Sequence, residues 1–131
     1  MWVQPALDPG LGLIYVNTGN PWPDYNGSTR GGNNLFTDSV VALDALTGRY
    51  RWHYQAVHHD LWDFDVPTPL ILFDQTYNGE MRHALAAHSK QGWVYICLSY
   101  TSNNCSTRSG RTPSPPEMLM YTCLLYTSRC V

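Results

Sequence analysis

The chain has 131 residues, of which 44% are hydrophobic, and this length corresponds to one ordinary domain. Ten acidic and eight basic side chains give a net charge of -2, and no Lys/Arg cluster forms an electrostatic footprint, so we expect no nucleic-acid partner. The sequence shows neither a signal-peptide pattern nor the run of about 18 apolar residues that a membrane helix requires.

Short apolar runs separated by turn residues fill the chain up to Ile96. Three of these runs have strand length and β-branched or aromatic residues: Leu13–Val16, Ser39–Leu43 and Trp93–Ile96. Turns are predicted at Asn26-Gly27, Gly48 and Asn78-Gly79, because Asn and Gly tolerate the positive φ of tight turns. Since no stretch keeps a helical period, we predict an all-β fold.

A blade-like element follows in the segment Ala42–Trp52. A strand ends in Ala42-Leu43-Asp44, Thr47-Gly48 reverses the chain, and the next strand delivers Trp52. This segment resembles the tryptophan-docking repeat of quinoprotein β-propellers, in which the indole packs between adjacent blades. Non-enzymatic propellers of the outer-membrane assembly factor type share this pattern.

Three further stretches resemble the pyrroloquinoline-quinone (PQQ) dehydrogenases in order and spacing: Leu13–Pro21, His58–Asp65 and Ser89–Tyr95. The forms of the second and third are most similar to the membrane-bound glucose dehydrogenases and the sugar or polyol branch. The resemblance implies that residues 1–96 are a fragment, about two blades, of an eight-bladed propeller. It also implies a periplasmic parent protein whose signal or membrane anchor lies outside this fragment.

Asn20 follows a strand and Thr18-Gly19, with Pro21 after it, so its amide oxygen can project from a strand end. Calcium binds such oxygens. The resemblance implies that Asn20 ligates the ion that contacts PQQ, and this ion is Ca²⁺, with Mg²⁺ or a lanthanide as alternatives. An Asn before Pro is also typical of a residue that caps its own turn.

Three carboxylates lie within six residues at Asp60, Asp63 and Asp65. Their mutual repulsion favours a cation or hydrogen bonds nearby, although acidic runs are also typical of solvated loops. The resemblance implies that Asp63 is a metal ligand and the general base that accepts the substrate's hydroxyl proton. It gives Asp65 as an additional metal ligand, whereas Asp60 is predicted to form an Asx turn or a salt bridge.

The resemblance also assigns roles to Lys90 and Trp2. Lys90 is the one lysine of the chain, and its ammonium would donate to the quinone oxygens and polarise the carbonyl that receives hydride. The indole of Trp2 would form the floor under PQQ. Without the resemblance, Lys90 is a solvated strand flank and Trp2 a frayed terminal aromatic.

Two adjacent histidines, His58 and His59, precede the acidic run. Neighbouring residues on a strand point to opposite faces, so we predict packing or hydrogen bonding for both rather than a shared transition metal.

Composition changes after Ile96. All four cysteines lie in residues 97–131, together with eleven Ser/Thr and a single carboxylate, Glu117. The expected Leu-Asp-Arg continuation is replaced from Cys97 onward, and the end resembles translated sequencing adapter. We predict a non-native, disordered tail, with a genuine Ser-rich tail as the alternative. Resequencing the genomic locus distinguishes the two.

The predicted function is oxidation of an alcohol, polyol or sugar hydroxyl by PQQ in the full-length parent, with electrons passed to a membrane quinone or a cytochrome c. The fragment alone is predicted to be inactive. The alternative is a non-enzymatic propeller scaffold, which requires the docking repeat but not Trp2, Asn20, Asp63 and Lys90 together.

Overall fold

The computed structural model of the chain describes residues 1–77 and 79–99. This part forms seven strands in two antiparallel sheets, which confirms the all-β prediction. In chain order the strands are β1 (Ala6–Asp8), β2 (Leu13–Asn17), β3 (Ser39–Asp44), β4 (Tyr50–Gln55), β5 (Ile71–Tyr77), β6 (Glu80–His88) and β7 (Val94–Leu98).

Sheet A is a meander in the order β1-β2-β3-β4. Leu13 pairs with Asp44 and Val41 with His53, and the register shifts at a bulge between Ala42 and Leu43. The predicted turn between β3 and β4 is confirmed, because Gly48 has a φ of 69° and its N–H donates to the Asp44 carbonyl at 2.9 Å.

Sheet B has the order β5-β6-β7 within the described residues. Leu72 pairs with Leu85, and Leu85 with Cys97. Gly79, which precedes β6, has the positive φ, 81°, that a tight turn requires, whereas Asn78 of the predicted turn lies outside the described residues.

The other predicted Asn-Gly turn differs from the expectation. Asn26 and Gly27 lie in the long connection between β2 and β3 rather than in a hairpin, and neither has a positive φ. The Asn26 side chain instead accepts a hydrogen bond from the Ser28 N–H at 3.0 Å, so the turn is an Asx turn inside a loop.

The hydrophobic core joins the two sheets. Its buried members come from sheet A, from the connection after β4 and from sheet B: Leu13, Tyr15, Val40, Ala42, Val66, Leu70, Leu85 and Ala87. Trp52 packs against this cluster, with its ring 5.8 Å from that of Tyr15, as the docking repeat predicts. β1 also contacts β5, so the first strands of the two sheets lie side by side, as in consecutive propeller blades.

β7 continues to Leu98, two residues past the predicted boundary at Ile96. Of the predicted tail, residues 97–99 are described and residues 100–131 lie outside the described part of the chain. No helix that could cross a membrane occurs among the described residues.

Candidate active site

The first element of the site is the turn Thr18-Gly19-Asn20 at the end of β2. The Thr18 N–H donates to the Ser39 carbonyl and the Asp38 N–H to the Gly19 carbonyl, both at 2.9 Å. The turn is therefore held against the start of β3, and Asn20 projects beyond the sheet.

Asn20 is fixed by two carboxylates. Its backbone N–H donates to Asp65 Oδ1 at 2.7 Å, and its side-chain Nδ2 donates to Asp24 Oδ1 at 2.6 Å. With Nδ2 turned toward Asp24, the amide oxygen faces the other way. Asn20 therefore does more than cap its own turn, because it joins the end of β2 to the connection after β4.

Asp60 shapes the connection between β4 and β5. Its carboxylate is fully buried and accepts the N–H groups of Trp62, at 2.8 Å, and Phe64, at 2.7 Å. These bonds confirm the predicted Asx turn. The two bonded residues stand on either side of Asp63. Asp63 adopts a φ of 62°, in the left-handed region, and its side chain is one-third exposed.

Lys90 joins the two other carboxylates of this loop. Its Nζ lies 2.9 Å from Asp63 Oδ2 and 2.6 Å from Asp65 Oδ2. The Lys90 N–H also faces the Phe64 and Asp65 carbonyls, each at 3.2 Å. Hydrogen bonds with Asp65 and then Asp63 raise the pKa of Lys90, so this side chain is cationic at neutral pH.

Asp65 is the centre of the arrangement. It is 3% exposed, with Oδ1 accepting the Asn20 N–H and Oδ2 facing Lys90. Gly19 lies against it so closely that a Cβ there would be 2.6 Å from Asp65 Oδ1 and 2.6 Å from the Trp2 indole nitrogen. Trp2 is thus beside the same turn, with 71% of its surface exposed.

The five residues predicted from the sequence therefore lie in one continuous group: Trp2, Asn20, Asp63, Asp65 and Lys90. They come from the N-terminal segment, the turn after β2, the connection after β4 and the turn before β7.

The donor chemistry fits a hard cation, since one amide oxygen and two carboxylates are the ligands that calcium and lanthanides prefer. Within the described residues no group of three or more His, Cys, Asp or Glu side chains could by itself hold a metal ion.

Arg30 is a structural residue that sequence reasoning missed. Its guanidinium donates to the Asp24 carbonyl at 3.2 Å, the Asp60 carbonyl at 2.5 Å and Asn34 Oδ1 at 2.5 Å. It thus fastens the loop after β2 to the loop after β4. No local pattern indicates this role, because three of the four partners of the guanidinium are backbone carbonyls and the one that joins the two loops, Asp60, lies 30 positions away.

Asp38 is the second missed residue. It is fully buried, and neither carboxylate oxygen accepts a hydrogen bond within the described residues. Burial, followed by the charges of Asp60 and Asp65, raises the pKa of Asp38 to about 7. The Thr37 hydroxyl opposes this shift, although its own hydrogen bond goes to the Asn34 carbonyl.

The prediction of packing or hydrogen bonding holds for His59 but not for His58, which is exposed. They follow β4 rather than lying on a strand, and His59 has a φ of 52°. His59 Nδ1 lies 2.7 Å from the Gly32 carbonyl, and its ring fills the space where a Cβ of Gly27 would lie. His59 therefore packs two loops together, whereas His58 is exposed.

Comparisons with known proteins agree with this geometry. The family model for the glucose/ethanol/alcohol dehydrogenase β-propeller domain, PQQ, matches residues 1–101. The quinohemoprotein alcohol dehydrogenase of Comamonas testosteroni is 40% identical over 98 residues, covering 73% of this chain and 14% of that enzyme. The quinoprotein glucose dehydrogenase of Escherichia coli K12 is 38% identical over 96 residues, covering 72% of this chain and 12% of that enzyme.

Among solved structures, a europium-containing methanol dehydrogenase superimposes with a TM-score of 0.72 at 32% identity, covering 78% of this chain and 18% of that one. The chain therefore spans about a seventh of the relatives that it matches. It belongs to the PQQ-dependent quinoprotein dehydrogenase family and contains part of its β-propeller domain.

Proposed function

We propose that the full-length protein containing this segment is a periplasmic PQQ-dependent dehydrogenase that oxidises an alcohol, polyol or sugar hydroxyl. Its electrons pass to a membrane quinone or a cytochrome c. The observation that carries the proposal is the contact of the Lys90 ammonium with both Asp63 and Asp65, while Asp65 also accepts the Asn20 N–H. A propeller that acts only as a scaffold has no need for this arrangement.

In the proposed mechanism, Asp63 accepts the proton of the substrate hydroxyl. Lys90 contacts Oδ2 of Asp63, so we assign Oδ1 as the accepting atom. The left-handed backbone of Asp63, held by the two hydrogen bonds to Asp60, fixes where that oxygen lies. The bound quinone supplies the acceptor for the hydride and its two electrons.

Lys90 would help to hold the quinone through the one ammonium hydrogen that Asp63 and Asp65 leave available, since an ammonium carries three donors. The carboxylates keep it charged and limit its movement. Trp2, whose indole is exposed beside Gly19, supplies the flat surface on which the cofactor rests.

Asn20, Asp63 and Asp65 hold the cation, which is Ca²⁺ in the proposal, with Mg²⁺ or a lanthanide as alternatives. The likeness to a europium-containing enzyme supports the lanthanide alternative. Overall identity is nearly equal for the alcohol and the glucose dehydrogenases, 40% and 38%. The preference for a sugar or polyol substrate therefore rests on Lys90 and the motif His58–Asp63.

The test uses the full-length protein with PQQ, calcium and an artificial dye as electron acceptor. Asp63→Asn keeps the side-chain shape but removes the base, and activity should fall by about 10²- to 10⁴-fold. Lys90→Ala should abolish activity, whereas Lys90→Arg should retain part of it. Asp74→Asn, at an exposed position on β5, is the matched control. Unchanged activity in the Asp63 and Lys90 variants, with the fold intact, would reject these roles.

A further inference from the structure

Asp24 stands out among the carboxylates because its contact is with the side chain of a proposed metal ligand. Its Oδ1 accepts the hydrogen bond of Asn20 Nδ2 at 2.6 Å. We propose that Asp24 is a positioning residue that turns the Asn20 amide so that its oxygen, and not its nitrogen, faces the cation. This inference rests on the proposed role of Asn20 as a metal ligand.

The physical reason is the near-symmetric shape of the amide group. The oxygen and nitrogen ends of Asn occupy similar volumes, so packing alone selects weakly between the two orientations. A carboxylate oxygen accepts hydrogen bonds, and it therefore stabilises the orientation with Nδ2 toward Asp24. The reversed amide would bring Oδ1 against Asp24 and direct two N–H donors at the cation.

The backbone of Asn20 is already fixed. Its backbone N–H donates to the buried Asp65 at 2.7 Å, so the residue cannot shift as a whole to compensate for a reversed amide. The side-chain amide can still rotate, and the hydrogen bond to Asp24 selects one of its two orientations.

Asp24 is itself held in place. Arg30 Nη2 donates to the Asp24 carbonyl at 3.2 Å and to the Asp60 carbonyl at 2.5 Å. Asp60 in turn organises the turn that carries Asp63. The backbone of Asp24 is therefore tied, through Arg30, to the loop that carries the proposed general base.

The experiment measures metal affinity rather than turnover. Terbium luminescence, or calcium calorimetry, is recorded on the cofactor-free full-length protein for Asn20→Ala, Asp24→Ala, Asp24→Asn and the surface control Asp74→Ala. Residues that orient metal ligands typically contribute 10- to 100-fold in affinity, so we expect a loss of about that size for Asn20→Ala and Asp24→Ala. Asp24→Asn keeps an acceptor for Nδ2, and its affinity should stay near that of the wild type and Asp74→Ala.

The outcomes separate the inference from the proposed function. If Asn20→Ala binds metal like the wild type, Asn20 is not a ligand, and both fail. If Asn20→Ala loses affinity but Asp24→Ala does not, the inference alone is overturned. A loss in Asp24→Asn as large as in Asp24→Ala would show that Asp24 acts through its charge, which also overturns the positioning role. Urea unfolding checks the fold, and Asp24→Leu replaces Asp24→Ala if the latter does not fold.

Discussion

Four aspartates lie in or under the site, and their partners give them different properties. Asp60 accepts two backbone N–H groups and shapes a turn. Asp65 divides its oxygens between a backbone N–H and Lys90, while Asp63 contacts Lys90 with one oxygen and is partly exposed. Asp38 is buried, and its carboxylate oxygens accept no hydrogen bond from the described residues. The aspartate side chain therefore has four different roles. Asp60 forms a turn, Asp65 joins Asn20 to Lys90, Asp63 is the proposed base, and Asp38 is a buried acid whose carboxylate is unpaired in the described part of the chain.

Asp38→Asn tests the last of these states through the pH dependence of stability. The pKa of Asp38 is about 7 in the folded protein, above the ordinary value of 3.8, so the folded state binds its proton more tightly than the unfolded state. The wild type should lose stability as pH rises from about 4 to 7 and then level off, and the variant should lack this loss. Each pKa unit corresponds to about 1.4 kcal/mol, so the variant should gain a few kcal/mol relative to the wild type between pH 4 and pH 8.

Urea unfolding of the full-length protein at pH 4, 6 and 8 measures this difference. Asp74→Asn is the control, because its carboxylate is exposed and contacts His83. A stability difference between variant and wild type that stays the same from pH 4 to pH 8 would contradict the prediction.

At the residue scale, motifs in the sequence indicate the members of the candidate site. They do not indicate the residues that hold these members in place. Trp2, Asn20, Asp63, Asp65 and Lys90 stand in motifs whose order and spacing are recognisable. Asp24 and Arg30 act through contacts that reach 4 to 30 positions along the chain, the longest joining Arg30 to Asp60, and Asp38 is distinguished by its burial. No local pattern encodes such contacts, so they become visible only in three dimensions.

At the scale of elements, the site depends on a close approach between the turn after β2 and the connection after β4. Gly19 is the point of closest approach, with no room for a side chain between Asp65 and Trp2. Its φ does not lie in the left-handed region, so the requirement for glycine is steric rather than conformational.

Gly19→Ala should therefore displace Asp65 or Trp2. A misplacement of about 1 Å in a catalytic arrangement can cost about 100-fold in rate, and we expect a fall of that order in kcat/KM. Gly31→Ala is the matched control, because a Cβ there meets no atom within 4 Å and the φ is also ordinary. Steady-state kinetics with the dye acceptor provide the measurement, and equal kcat/KM values for the two variants would contradict the steric argument.

The strands themselves were predicted unevenly. β2, β3 and β7 were expected from β-branched and aromatic runs, whereas β6 was signalled only by the turn at 78–79. Its sequence, Glu80–His88, is rich in Ala, Leu and Met, which favour helices in isolation. Pairing with β5 and β7 on its two sides, and the burial of Leu85 and Ala87, outweigh that preference.

At the scale of the whole molecule, the described sheets leave backbone edges and apolar side chains uncovered. Trp22, Tyr25, Trp62 and Ile71 each expose more than half of their surface. Blades of a propeller gain stability from neighbouring blades, so a pair of them is marginal.

The purified 131-residue chain should therefore unfold without a cooperative transition and should show no dye reduction with PQQ and calcium. Circular dichroism during thermal unfolding and the dye assay measure the two properties, with the full-length protein as the positive control. A sharp transition together with PQQ-dependent activity in the short chain would overturn this expectation.

The shared core and the Lys90 contacts also bear on how such enzymes can be recombined. Asn20 lies in the turn after β2 of the first sheet, Lys90 precedes the last strand of the second, and Asp63 and Asp65 lie on the connection between the two sheets. Exchanging one blade between relatives would combine Lys90 with carboxylates of another protein in place of Asp63 and Asp65. The smallest segment that keeps these residues together therefore runs from Trp2, which precedes β1, to the end of β7.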